Sequence, residues 1–165
     1  MSKAFSIGFG VAAVIIAALI WRGFVVTKGN HLDPVGKIGK VRALQVEEGQ
    51  MVAVVDFNLR NDADVDLIVR KVEAEMTAAD GSVVEGGVVA APDLDKVFLY
   101  YPDIGEKFNP ALKATDKLPG HQETDRMVGV RFSVPAQAWA ARKGVTLRIQ
   151  DKTGPVVELT ETTRR

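Results

Sequence analysis

The stretch that decides the fold is "VVDFNLRNDADVDLIVRKVEAEMTAADGSVVEGG", which runs from Val54 to Gly87. Its first part alternates apolar and polar side chains and places Val55, Phe57 and Leu59 on one side of an extended chain. This alternation is typical of a strand with one face towards a core and the other towards water. In the second apolar run the parity of the aliphatic residues slips, which predicts a β-bulge near Arg70-Lys71.

Turn residues separate further runs of the same kind along the chain. Asp80-Gly81 is a favoured pair for a two-residue type I′ hairpin. The segment "QDKTGPVV" (Gln150 to Val157) predicts a second hairpin with a longer loop. Alternation returns in "RMVGVRFSV" (Arg126 to Val134) and in "VTLRIQ" (Val145 to Gln150). The connections are hairpins and not helical crossovers, so we expect antiparallel pairing.

About seven or eight short strands with such turns predict an all-β fold, an antiparallel β-sandwich. One segment departs from the pattern. "PAQAWAARKG" opens with a proline and ends with two basic residues before a glycine, which predicts a short helix near residues 135–143. We expect the β-domain to span residues 38–161, after a glycine-rich linker at 23–37 and before a tail at 162–165.

The stretch from Val54 to Gly87 resembles the late-embryogenesis-abundant/WHy type of immunoglobulin-like module. In that family a strand ends in Asn, here Asn61, and a second strand with spaced aliphatics and a small hairpin turn follow. Later segments are similar to uncharacterised membrane-anchored bacterial proteins. The resemblance implies an immunoglobulin-like, non-enzymatic β-sandwich, sometimes linked to stress or to contact with other macromolecules.

The N-terminal segment has the composition of a membrane anchor. From Ala4 to Trp21 the chain carries no charged residue, and 18 helical residues would span about 27 Å, close to the thickness of a bilayer core. We therefore predict one transmembrane helix within residues 1–22 that contacts membrane lipid through residues 4–21. Small residues recur every four positions on one face of it, which would allow a second helix to approach closely. These helix-packing positions are Ala4, Gly8 and Ala12.

The side of the membrane on which the domain lies follows less directly from the sequence. More basic residues follow the apolar run than precede it, which favours a cytoplasmic domain. A segment with a very short N-terminal tail commonly acts as a signal-anchor, however, and long domains translocate regardless of charge. We expect a single-pass protein of the bacterial inner membrane with its β-domain on the extracytoplasmic side, the cytoplasmic side being the alternative.

Composition excludes several classes of function. Lys and Arg together number 21, as do Asp and Glu, so no net charge would recruit nucleic acid. The sequence has no cysteine, which excludes disulfides, thiolate metal sites and cysteine nucleophiles. No cofactor motif or small-molecule substrate site is recognisable. We expect no cofactor.

Acidic residues and histidines offer candidate sites, each with an ordinary alternative. Asp62, Asp64 and Asp66 alternate as in a Ca²⁺ loop, but Leu67 stands where an EF-hand needs glycine, so a solvated turn is the preferred interpretation. The two histidines, His31 and His121, have no second ligand at metal-binding spacing.

Two further sets of residues have the composition of known catalytic arrangements. His121, Asp125 and Ser133 could be written as a triad, although a triad requires geometry that sequence does not show. Asp93 and Asp95 could form a carboxylate pair, but both lie in a predicted loop. We expect neither catalytic nor metal-binding residues.

A basic cluster follows the predicted anchor. Lys37, Lys40 and Arg42 fall within six residues of one another. Such a cluster could contact anionic headgroups, and a solvated first strand is the alternative.

Aromatic residues concentrate in "VFLYYPDIGEKFNP", Val97 to Pro110, which holds both tyrosines of the chain. Its prolines predict a long connection with an edge strand at "VFLYY". We expect Phe98 and Phe108 to cap the open end of the sandwich. The alternative is a partner-binding surface, since aromatic residues are enriched in binding hot spots. The residues of that surface would be Tyr100, Tyr101, Pro102 and Phe108.

These features together predict a non-catalytic accessory or scaffold subunit that binds other proteins of a membrane assembly. Two alternatives remain. One is a stress-protective module, which the resemblance implies. The other is a hydrolase or carbohydrate-binding domain, which would require a cleft with ionisable groups of perturbed pKa.

Overall fold

The computed structural model describes Ile16 and residues 34–161. The predicted anchor apart from Ile16, its helix-packing residues Ala4, Gly8 and Ala12, most of the linker, His31 and the 162–165 tail lie outside the described residues. No helix that the structure describes is long and apolar enough to cross a membrane. The first strand begins at Val35, so it takes up the last three residues of the predicted linker.

Residues 34–161 form eight strands and two α-helices. The strands are β1 (Val35–Glu47), β2 (Gln50–Asn61), β3 (Leu67–Thr77), β4 (Val83–Val89), β5 (Lys117–Leu118), β6 (Gln122–Phe132), β7 (Gly144–Asp151) and β8 (Val156–Thr160). The helices are α1 (Ala91–Tyr100) and α2 (Ala136–Ala140), and one 3-10 turn follows α1 at Pro102–Ile104. The predicted short helix near 135–143 is confirmed by α2, whereas α1 replaces the predicted edge strand.

All strands pair antiparallel in one curled sheet, in the order β1-β2-β6-β4-β3-β7-β8, with β5 paired to β3. The sheet curls far enough for its two end strands to approach. A Cβ placed on Gly36 in β1 would lie 2.9 Å from a methyl carbon of Leu159 in β8. The predicted all-β, antiparallel fold of seven or eight strands is therefore confirmed.

Strand β4 joins the two halves of the curled sheet, and we call it the seam. Its first half pairs with β3 through Gly86, and its second half pairs with β6 from Gly87 onwards. A Cβ on Gly86 would lie 2.3 Å from Val130 Cγ1 and 2.6 Å from the Phe132 ring, closer than real atoms pack. Glycine is needed here because the backbone passes directly over two core side chains.

The inside of the curl is a single hydrophobic core. Alternate residues of each long strand point into it, as the period of two in the sequence predicts. Its largest fully buried side chains include Phe57, Phe132, Met76, Leu147 and Ile149. Trp139 of α2 adds to this core and packs against Phe132 with ring centroids 5.3 Å apart.

A second, smaller core lies on the outer face of β2 and β6. Val52, Val54 and Met127 point outward there and are buried by Leu94 of α1 and by Ile104. The outer face of β2 is thus apolar over its first half, and all residues from Met51 to Phe57 are buried. The water-exposed face that the alternation predicts for this strand begins only at Asn58.

The predicted irregularities can be compared with the observed register. A register shift falls between Val69 and Lys71, which confirms the predicted bulge. The β3–β4 hairpin differs from the prediction, because Gly81 has a φ of 92° while Asp80 does not share the positive φ that a type I′ turn requires. The amide of Gly81 bonds to the carbonyl of Ala78, 3.0 Å away, so the loop has three residues with glycine in the left-handed position.

The β7–β8 hairpin is organised by one buried carboxylate, Asp151. Its Oδ2 accepts hydrogen bonds from the amide and hydroxyl of Thr153, and its Oδ1 accepts the Ile68 amide of β3 at 2.7 Å. Burial raises the pKa of Asp151, but these hydrogen bonds outweigh it and leave the pKa below its ordinary value. The residue joins the turn to the neighbouring strand.

We predict that Gly86→Ala lowers the free energy of unfolding by about 1–3 kcal/mol, because the new methyl group overpacks the core at the seam. Gly87→Ala is the matched control, since a Cβ there would meet only a carbonyl oxygen at 3.9 Å. Urea unfolding of both variants measures the difference. Equal shifts of the two midpoints would contradict the proposed crowding.

We predict that Asp151→Asn lowers the free energy of unfolding at pH 7 by about 1–3 kcal/mol, since charge-assisted hydrogen bonds are lost. Because the folded-state pKa is depressed, the carboxylate stabilises the fold above the unfolded-state pKa of about 3.9. This contribution is lost as the pH falls through the folded-state pKa. The difference between variant and parent should therefore shrink in acid, whereas the exposed Asp103→Asn control should show little effect at either pH.

Candidate partner-binding surface

Helix α1 carries the first half of the aromatic segment. Its sequence opens with Pro92 in the first turn and has Asp93 there as well, both of which favour a helix start. Leu94, Val97 and Phe98 then recur at helical spacing and pack on the outer core. The prediction of an edge strand at "VFLYY" is wrong because this periodicity of three and four takes precedence over the high β-propensity of the individual residues.

The chain turns sharply after α1 and runs back over β1 and β2. The Tyr101 amide bonds to the Val97 carbonyl at 2.9 Å, and Ile104 is buried in the outer core. Gly105 then adopts a φ of 88°, a left-handed conformation that glycine adopts without strain. We call residues 99–108 the aromatic loop.

An ion pair between Arg42 of β1 and Asp56 of β2 lies beneath this loop. The Nη2 and Nε atoms of Arg42 lie 2.8 and 3.2 Å from Asp56 Oδ2, and each side chain is only 9 % exposed. The second carboxylate oxygen of Asp56 accepts the Asn109 side-chain amide at 3.0 Å. Both oxygens are thus engaged, as a buried charge requires.

Arg42 also binds the loop backbone directly. Its Nη1 donates to the carbonyls of Ile104, at 3.0 Å, and Glu106, at 2.7 Å. Its guanidinium carbon lies 4.9 Å from the centre of the Phe108 ring and 5.7 Å from that of Phe98, within cation–π range. One arginine therefore connects the sheet to the second half of the aromatic loop and also contacts Phe98, just before the loop.

The side chains of the aromatic loop point largely to solvent. Leu99 is 72 % exposed, Tyr100 71 %, Phe108 59 % and Tyr101 38 %. Pro102 is exposed as well. The expectation that Phe108 caps the core is wrong, since it lies outside against Arg42 and Lys40, and Phe98 is only partly buried. Leu94 and Ile104 are the residues of this region that are fully buried, and they cover the outer face of β2 and β6.

A shallow groove of 510 Å³ runs beside Phe108. Its walls combine the Phe108 ring with polar side chains of β1, β2 and β6, among them Lys37 and Lys40. Asn58 donates to Asp125 across its floor at 2.9 Å. An aromatic ring next to exposed amide, carboxylate and ammonium groups suits contact with a polar partner surface.

The other candidate residues from the sequence are engaged locally. Asp62 pairs with Arg60 at 2.7 Å and Asp64 with His121 at 2.8 Å. Within residues 34–161 no three histidine or acidic side chains come together in a way that could hold a metal ion.

The structure does not assemble the hypothetical catalytic sets. His121 contacts Asp64 and not Asp125. Asp125 and Ser133 are separated by eight residues along β6 and its end, which corresponds to about 26 Å of extended strand. A triad of His121, Asp125 and Ser133 is therefore excluded by distance.

Asp93 and Asp95 lie in α1, not in a loop as expected. Two residues apart on a helix, they do not face each other. Asp93 pairs with Lys96 at 2.9 Å and Asp95 with Lys107 at 2.6 Å. Each carboxylate thus has an exposed lysine as its partner.

The basic cluster after the predicted anchor is divided by the fold. Lys37 and Lys40 line the groove beside Phe108, whereas Arg42 is buried against Asp56. The sequence predicts Arg42 to be a surface cation because the neighbouring Lys37 and Lys40 are also basic. The signal that could have identified its role is Asp56, a lone carboxylate in the otherwise apolar run "MVAVVDF", which requires a buried cation as a partner.

Comparisons with known proteins give only distant similarity. No protein-family model matches the chain, and no curated protein matches it. One similar solved structure is that of the putative ApaA protein from Bordetella pertussis, with 12 % identity and a TM-score of 0.39, covering 79 % of this chain and 89 % of that one. Another is an uncharacterised β-sandwich protein from Clostridium difficile 630, with 11 % identity and a TM-score of 0.36, covering 80 % and 82 %. Neither similarity is close enough to transfer a function.

We predict that Arg42→Lys lowers the free energy of unfolding by about 1.5–3 kcal/mol and loosens the aromatic loop. Lysine keeps the charge but lacks the planar fork that reaches Asp56 and two carbonyls at once. Hydrogen exchange at the amides of Gly105 and Glu106 should accelerate.

The matched control for this substitution is Arg60→Lys. That arginine also pairs with an aspartate, Asp62, but both side chains are more than half exposed. We expect a change of less than about 0.5 kcal/mol. Unchanged exchange in the loop of the Arg42 variant would contradict the role assigned to it.

Proposed function

We propose that the protein is a membrane-anchored, non-catalytic binding module, an accessory or scaffold subunit whose aromatic loop contacts a partner protein. The observation that carries the proposal is the exposure of Leu99 and Tyr100, in the last turn of α1, and of Phe108, in the segment after it that Arg42 fixes to the sheet. Exposed aromatic residues on a rigid support lose little conformational entropy on binding, and this favours a hot spot.

The fold and the sequence support the remaining parts of the proposal. We infer an immunoglobulin-like arrangement in which β4 passes between two halves of the sheet, as at the corner of a sandwich. The uncharged run at 4–21 supports an anchor in the bacterial inner membrane. The extracytoplasmic side is the one that we propose for the domain. Protease accessibility of the domain in intact spheroplasts tests this orientation.

The partner-binding residues remain Tyr100, Tyr101, Pro102 and Phe108, to which the structure adds Leu99 as a candidate. The small-residue face of the predicted helix, with Ala4, Gly8 and Ala12, would supply a second contact within the membrane. If both the aromatic loop and the membrane helix contact the assembly, each interface can be small. This is because formation of the first contact makes the second one intramolecular.

We predict that Tyr100→Ala combined with Tyr101→Ala weakens the assembly by about 2 kcal/mol or more while the fold remains stable. Gently solubilised membranes would be separated by native electrophoresis, and the parent chain should migrate with a larger complex. The double variant should migrate as a smaller species, with an unchanged urea midpoint.

Val83→Ala is the control, because Val83 is 57 % exposed but lies on β4, outside the aromatic loop. It should leave migration unchanged. If the double variant is unstable, Phe108→Ala replaces it, since that ring lies outside both hydrophobic cores. A parent chain that migrates as a free monomer would overturn the proposal.

A further inference from the structure

A second groove, independent of the aromatic loop, lies where β3, β5 and the β7–β8 turn meet. It has a volume of 710 Å³. We call it the cationic groove because three of its six lining residues are basic. The lining consists of Ile68, Val69, Arg70, Thr115, Lys117 and Lys152.

The basic side chains of this groove are not neutralised by the described protein. Within residues 34–161 no carboxylate lies in ion-pair distance of Arg70, Lys117 or Lys152. Other cations at this end of the sheet do have such partners, Arg60 with Asp62 and Lys71 with Glu73.

The two carboxylates nearest to the groove in sequence are committed to backbone groups. Asp116 accepts the Lys113 amide at 3.0 Å, and Asp151 accepts the Ile68 amide at 2.7 Å. Neither lines the groove. None of the three cations therefore forms an ion pair within residues 34–161, and all three are exposed to solvent.

The backbone that carries the three cations is held in place by strand pairing. Lys117 of β5 is the register partner of Ile68, and the Lys152 amide donates to the Ile68 carbonyl at 2.9 Å. The Thr115 amide donates to the Val69 carbonyl at 2.8 Å. The backbone positions of the three basic residues are thus fixed relative to one another by pairing with two consecutive residues of β3.

Thr115 occupies an unusual conformation at the rim. Its φ is 73°, a left-handed value that is rare for a β-branched residue. Such backbone strain is concentrated at functional sites. Glycine would adopt this conformation without strain. The residue here is instead a threonine, which bears a hydroxyl group and lies next to the three basic residues of the groove.

The groove lies at the end of the curled sheet where the chain enters the domain. Val35, the first residue of β1, pairs with Arg60, and the neighbouring Asn61 donates to the Leu118 carbonyl of β5 at 3.2 Å. The 33 residues that precede Pro34 include the uncharged run 4–21.

We propose that the cationic groove binds the phosphate group of an organic phosphate. Arg70, Lys117 and Lys152 supply the positive charge, and lysine and arginine are the side chains that bind phosphate oxygens. Half-buried Ile68 offers an apolar floor for the organic part of the ligand. The phosphate could belong to the headgroup of an anionic lipid or to a soluble ester.

Titration of the complete chain in nonionic detergent tests the proposal. The probes are inorganic pyrophosphate, a short-chain phosphatidylglycerol and, for comparison, the matching phosphatidylcholine. Amide resonances of Ile68, Thr115 and Lys152 report binding at the groove. A response to phosphatidylglycerol alone identifies a lipid headgroup, and a response to pyrophosphate identifies a soluble phosphate; either supports the site.

Lys117→Gln combined with Lys152→Gln should weaken this binding by about tenfold, since each exposed cation contributes up to about fivefold. The matched control is Lys96→Gln combined with Arg131→Gln, which removes the same charge from exposed positions outside the groove. It should leave the affinity unchanged. If the double variant is poorly folded, Lys152→Gln alone, in the exposed turn, should weaken binding about two- to fivefold.

The proposal is overturned if neither probe shifts these resonances, if phosphatidylcholine binds as well as phosphatidylglycerol, or if both charge variants weaken binding equally. This outcome would leave the proposed function unaffected. The aromatic loop and the cationic groove share no residue, so loss of phosphate binding and loss of the partner complex are separate results.

Discussion

The Arg42–Asp56 ion pair is the interaction on which the outer half of the structure depends. A carboxylate in the middle of a strand that is covered on both faces would be costly without a cation at its side. Arg42 supplies that cation and uses its remaining donors on the carbonyls of Ile104 and Glu106. Because Asp56 of β2 requires a cation, Arg42 is held where it also fixes the position of a loop more than sixty residues after it in the chain.

Strand β2 belongs to two cores at once. Its inward side chains join the core inside the curl, and Val52 and Val54 join the outer core beneath α1. Because the two faces are occupied by different parts of the chain, a change on either face is transmitted to the same backbone. The proposed binding surface is therefore attached to the most completely buried element of the domain, which explains how exposed aromatic side chains can be presented on a firm base.

The features of the fold that depend on local periodicity can be predicted from the sequence. Alternation, the bulge at Arg70-Lys71 and the short helix after Pro135 were all predictable from neighbouring residues, and all are observed. Helix α1 was missed because its aromatic residues favour strands individually, while its stability comes from contacts of Leu94 with β2 and β6. The role of Arg42 and the cationic groove depend on residues brought together by pairing, which no local pattern contains.

The register of β2 also has a consequence for biosynthesis. Its partner on one side, β1, is made before it, but its partner on the other side, β6, ends at Phe132 and so is completed roughly 70 residues later. During this interval, on the order of ten seconds at ordinary rates of translation, the inward face of β2 lacks β6, and its outward face stays uncovered until α1 and Ile104 have been made. The core inside the curl therefore closes only after β6, β7 and β8 have been made.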